Sequence, residues 1–150
     1  MKHKYTLLIV LSLLFCLNAC KKSSTAPQNS SVAILGKWYI TSHTSKVSHN
    51  GALIDSLYST NFNNNDFVEY FSDGTGIISS DASPAPSLGI FNYTIKGSVI
   101  VQVNSAEVAG VTETITTLTA NNLAVHYVIV VADPNTGEAD NEADDYSFKR

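Results

Sequence analysis

The sequence predicts an all-β protein, a small up-and-down antiparallel β-barrel of eight or nine strands behind an N-terminal leader and a flexible tether. Three observations predict it. From Ile34 onward, apolar and polar residues alternate with period two in runs of about six to twelve residues. Clusters of Gly, Pro, Asn and Asp punctuate those runs at regular spacing. Charged residues are 15% and hydrophobic ones 44% of the chain, with Ser, Thr, Asn, Val and Ile prominent, which favours pleated half-buried surfaces over helices.

The chain divides into residues 1–19, 20–33 and 34–150. Lys2, His3 and Lys4 form a basic start, followed by an apolar stretch from Leu7 to Leu17 interrupted only by Ser12. That stretch is too short for a hydrocarbon core that needs roughly 20 residues, and it fits a secretory signal peptide. Leu17-Asn18-Ala19-Cys20 resembles the lipobox of bacterial lipoproteins, with an aliphatic residue three places before the cysteine and a small one directly before it. The resemblance implies cleavage after Ala19 and acylation of Cys20, so that membrane lipid is a partner through a palmitate-type anchor. Cys16 is a poor rival because bulky Phe15 precedes it. Residues 21–31 are polar, with nothing to bury, and read as a tether. Lys21 and Lys22 in it can meet anionic headgroups or serve solubility. Without acidic residues after the cysteine, the expected location is the cell envelope, at the outer membrane facing the periplasm.

Within 34–150 the strands are expected in order. Leu35–Val47 puts Trp38 and Ile40 on one face and Lys37, Tyr39 and Thr41 on the other. Ala52–Thr60 is a weaker run. Asp66–Phe71 leads into Ser72-Asp73-Gly74, where Asp-Gly signals a hairpin returning through Thr75–Ser80. The prolines of Ser83-Pro84-Ala85-Pro86-Ser87 make a loop, since proline cannot donate to a ladder. Ile90–Lys96 and Ser98–Asn104 pair about Lys96-Gly97, and Val111–Thr119 turns through Asn121-Asn122 into the very apolar Leu123–Val131. Asp144–Arg150 is the last strand. Short connections favour a barrel over a sandwich, and closure removes unpaired edges.

Charge and cysteine usage exclude several function classes. Once the leader is removed, seven basic side chains face thirteen acidic ones, a net charge of −6. No basic stripe exists, which argues against nucleic acid as a partner. Both cysteines lie at positions 16 and 20, so the body has neither disulfide nor thiolate metal site. No Gly-x-Ser-x-Gly, His-Glu-x-x-His or phosphate loop occurs, and no cysteine nucleophile is present in the body, so nothing marks an enzyme or a cofactor.

Gly36-Lys37-Trp38 at the opening of the first strand resembles the Gly-x-Trp signature of lipocalins. Tyr70-Phe71-Ser72-Asp73-Gly74-Thr75-Gly76, Phe91-Asn92-Tyr93-Thr94-Ile95 and Ile115-Thr116-Thr117-Leu118-Thr119 are similar to segments of the lipocalin-like lipoproteins of Bacteroidetes-type bacteria. The resemblance spans about residues 34–150. It implies that Gly36, Trp38 and Arg150 form a structural signature, with Arg150, or else Lys149, lying across the indole at the closed end. It also implies a small hydrophobic or amphipathic ligand inside the barrel, with Phe71, Phe91, Tyr93 and Tyr127 as candidate lining. The alternative is a filled barrel acting as an envelope interaction or inhibitor module. A glycan hydrolase would require two carboxylates across one cleft.

The remaining polar features have modest expectations. His43, His49 and His126 lie in separate segments, with His126 opposite the apolar face of its strand, and no metal site is assigned to them. Asp133–Asp145 is expected to be an acidic, solvated hairpin loop; alternate oxygens suit calcium, but the spacing departs from the EF-hand pattern. Loops near 61–65, 83–88 and 133–145 are expected at the barrel mouth. Asp55-Ser56-Leu57 matches a short O-glycosylation pattern of Bacteroidetes.

Overall fold

A computed structural model describes residues 30–81, 87–104, 110–132 and 137–150. The leader, the lipobox and Cys20 lie outside the described residues. One helical turn, α1 (Ser30–Ala33), ends the tether segment. Nine strands follow: β1 (Gly36–His49), β2 (Ala52–Ser59), β3 (Phe67–Tyr70), β4 (Thr75–Ser80), β5 (Ser87–Lys96), β6 (Val99–Asn104), β7 (Val111–Leu118), β8 (Asn122–Ala132) and β9 (Ala139–Lys149).

Every pairing is antiparallel, and β3 through β9 pair each with the next. β1 closes the ring by pairing with β3 over Gly36–Tyr39 and with β9 over Tyr39–Ser48. Eight strands therefore make a closed up-and-down antiparallel barrel. β2 stands outside it. It pairs with the far half of β1, residues 43–49, along the edge that β3 uses near the start of β1. Seven of its eight residues are exposed, so this hairpin extends the wall without entering the core.

The strands lie close to the expected runs because alternation reports them directly. Trp38 and Ile40 are buried and Tyr39 between them is exposed. The Asp73-Gly74 turn forms as a tight connection, with Gly74 at φ 84° and Asp73 accepting bonds from the amide and hydroxyl of Thr75. Gly76 is needed for space: a Cβ there would run into the Phe91 ring. The largest departure is the last strand. It begins at Ala139, five residues before the expected start, so the second half of the acidic stretch is strand and not loop.

Strand direction defines two ends. The floor carries α1, the Asp73-Gly74 and Lys96-Gly97 turns, and Arg150. Ile34 and Trp38 there are fully buried, packed with Ile100, Leu123, Phe91 and Phe148. Asp66, also fully buried, pins the 60–66 segment to the end of β4 by accepting from the amides of Asn63 and Asp81, both at 2.7 Å. The last residues of β4, β6 and β8 lie at the opposite end, and the connections 82–86, 105–109 and 133–136 lie outside the described residues.

Candidate functional site: a polar cavity above a packed floor

Side chains of alternate residues face inward, and their chemistry changes along the barrel axis. At the floor the Trp38 indole donates to the Ile34 carbonyl at 2.6 Å. The Arg150 guanidinium lies 4.0 Å from the indole ring centre and donates to the carbonyls of Ala33 and Leu35. This cation–π contact bolts the C-terminus across the entry of the chain, a contribution on the order of 1 kcal/mol. A Cβ placed on Gly36, whose φ is 101°, would meet the Arg150 guanidinium at 3.9 Å, so Gly36, Trp38 and Arg150 are brought together.

Above the floor sits a cavity of about 80 Å³. Ile40, Val68, Val125 and Phe148 supply its apolar wall, and Ile78, 44% exposed although it faces inward, marks its opening. Tyr70, Tyr127, Tyr146, Gln102 and Glu113 supply its polar groups. Among the described residues no lysine or arginine lines it. With liquid water occupying about 30 Å³ per molecule, the space suits a few waters or a handful of heavy atoms. Drug-sized ligands occupy roughly 300–1,000 Å³.

Glu113 is the unusual group in it. The side chain is only 8% exposed, and Gln102 is hydrogen-bonded to the carboxyl, yet Oε2 has no partner. Burial raises its pKa from 4.5 to about 7, opposed by the Gln102 bond. Tyr70 is pushed well above the usual phenol range, first by burial and then by Glu113 and Tyr93. Tyr127 and Tyr146 are raised mainly by burial as well, and their hydroxyls are hydrogen-bonded to each other. These phenols stay neutral at any physiological pH. They contribute rings and hydroxyls to the lining, not charge.

Toward the mouth the β1–β9 seam becomes a ladder of histidine, serine and carboxylate. His43 Nε2 meets Asp144 Oδ1 at 2.6 Å, and the imidazole stacks on Tyr146 with ring centres 4.1 Å apart. Ser45 donates to Glu142 at 2.7 Å, and His49 contacts Asp140 at 2.7 Å and Glu138 at 3.1 Å. Asp140 and Asp144 are nearly buried, so these partners satisfy oxygens that would otherwise be stranded. Among the described residues no group of three or more His, Cys, Asp or Glu is arranged to hold a metal. His126 lies on the outer face, paired with exposed Asp145 at 2.9 Å.

Four aromatic residues were expected to line the interior, and the structure separates them. Tyr127 lines the cavity. Phe91 and Tyr93 are buried below it, packed edge-on and tilted around Tyr70, with the Tyr93 hydroxyl donating to the Phe71 carbonyl at 2.8 Å. Phe71 does not line it. The residue is 38% exposed because Val68 and Tyr70 take the inward positions of β3, and alternation turns Phe71 outward. The expectation of an oily interior holds for the floor half alone. Glu113, Tyr70, Tyr146 and the seam ladder were not anticipated. For Glu113 a signal existed: Val111, Glu113 and Ile115 share one face of β7.

No family model and no curated protein matches the sequence. Among solved structures the chain is similar to the bovine lipocalin allergen Bos d 2, at 11% identity and a TM-score of 0.39, covering 78% of this chain and 73% of that one. The barrel assignment rests on the strand pairings.

Proposed function

We propose that this protein is a lipid-anchored, non-catalytic envelope protein whose barrel receives one small ligand through its open end. The observation that carries the reading is the cavity above the floor, polar at Glu113 and Gln102 and walled by Tyr70, Tyr127 and Tyr146. A core built only for stability would fill that space with hydrocarbon, since voids and unpaired buried polar groups both destabilise. The cavity's size restricts the ligand, or the part of it that enters, to a few heavy atoms; a long acyl chain has no room beneath Ile78. A filled barrel describes the floor half, where Trp38, Ile34 and Leu123 leave no space.

The anchor belongs to the same proposal and is supported by the Leu17–Cys20 pattern. Cys20→Ser should release the protein from the membrane fraction; retention of the unacylated variant would remove the anchor. Native mass spectrometry of the full-length lipoprotein, taken from its host membranes in detergent, tests the carrier role. A stoichiometric small adduct is expected. An apo mass in every preparation would overturn ligand carriage.

A further inference from the structure

We propose that the group received in the cavity is a small organic ammonium ion bearing at least one N–H, bound by the Glu113 carboxylate against the faces of the surrounding tyrosines. This deepens the ligand-binding proposal above and rests on it. Glu113 projects inward from β7, is more than nine-tenths buried and lines the cavity, and one of its carboxyl oxygens has no hydrogen-bond partner. Among the described residues the donor to the carboxyl is the Gln102 amide. A ligand donor that carries positive charge satisfies Oε2 and neutralises the carboxylate together.

The walls select the same chemistry. Tyr70 from β3, Tyr127 from β8 and Tyr146 from β9 surround the space, and aromatic faces attract organic cations while remaining compatible with their carbon. The Tyr127 and Tyr146 hydroxyls are hydrogen-bonded to each other. An anionic ligand such as a carboxylate would meet Glu113 with no lysine or arginine among the described lining residues to offset the repulsion. A hard metal ion would find one carboxylate where calcium takes six to eight oxygens. Burial holds the empty site near half-protonated at neutral pH, so ammonium binding expels a proton from Glu113. Other ionisable groups facing it, the three tyrosines, remain neutral in that range.

The test is calorimetric titration of the full chain in detergent with n-butylammonium, tetramethylammonium, n-butanol and butyrate. Saturable binding of n-butylammonium is expected, at least tenfold tighter than tetramethylammonium, which has no N–H, with n-butanol weaker still and butyrate not bound. Proton release should appear as a dependence of the heat on buffer ionisation enthalpy. Glu113→Gln should weaken n-butylammonium at least tenfold and abolish the proton release while the protein stays folded by thermal melt. Val125→Phe, which fills the cavity from the adjacent strand β8, should abolish binding with Glu113 intact. If n-butanol binds as tightly as n-butylammonium, or Glu113→Gln leaves ammonium binding unchanged, the cationic assignment is overturned. The carrier role itself then stands or falls separately on the native adduct mass.

Discussion

The two halves of one barrel interior obey opposite rules. At the floor, Trp38, Ile34, Ile100 and Leu123 bury hydrocarbon, and the one polar handle, the indole N–H, has a carbonyl at 2.6 Å. Toward the mouth, the same inward positions carry Glu113, Asp140, Glu142 and Asp144, compensated by His43, Ser45, His49 and Gln102. Hydrophobic burial specifies the first half, and pairwise satisfaction of polar groups specifies the second. The difference separates what folding requires from what it does not: the floor can be filled, and so it is, while the upper half holds a buried carboxyl that folding alone does not require.

The largest effect should come from the floor. Trp38→Ala removes the biggest buried side chain, its hydrogen bond and the platform for Arg150. It should cost about 3–5 kcal/mol in urea denaturation. A loss below 1 kcal/mol would show that the floor is not the stabilising half.

Next in size is Glu113→Gln, and its sign is opposite. Because the native pKa of about 7 lies above the ordinary 4.5, the folded state keeps its proton through that window while the unfolded chain loses it. Stability contributed through this group therefore falls as pH rises from about 4.5 to 7 and levels off above. The variant should be more stable than wild type at pH 8 by up to about 3 kcal/mol, with that part of the pH slope removed. Denaturation series at pH 5 and 8 check both points.

His43→Ala takes the partner from nearly buried Asp144 and the stacked ring from Tyr146. A loss of about 1–3 kcal/mol is expected in the same denaturation assay. Leu57→Ser on exposed β2 should change stability by less than about 0.5 kcal/mol, since β2 packs on no interior. A larger loss there would mean that the outer hairpin belongs to the cooperative core.

What could be read in advance follows the same division. Trp38, Ile40, Leu123 and Val125 announce their strands by apolar alternation, and the Asp73-Gly74 turn announces its hairpin, so the architecture was legible. The β9 start was not. Its inward residues, Asp140, Glu142 and Asp144, are acids, and an alternation of acids with Asn, Ala and Asp carries no hydrophobic contrast. Their partners sit on β1, roughly 90 to 100 positions earlier in the chain, where no local pattern marks them. Tyr70 and Phe71 were ambiguous for a different reason: with two adjacent aromatics, alternation says that one points inward but not which. Glu113 lay in plain view between Val111 and Ile115, yet a carboxylate on an apolar face becomes informative only when its lack of a partner is seen.

The most direct measurement is the carboxyl ¹³C titration of Glu113 by NMR in the full chain, without and with n-butylammonium. A midpoint near 7 in the free protein, moving down when the amine is present, is the expected result. A midpoint near 4.5 that ignores the amine would place this carboxyl in solvent and contradict a buried, unpaired acceptor above the packed floor.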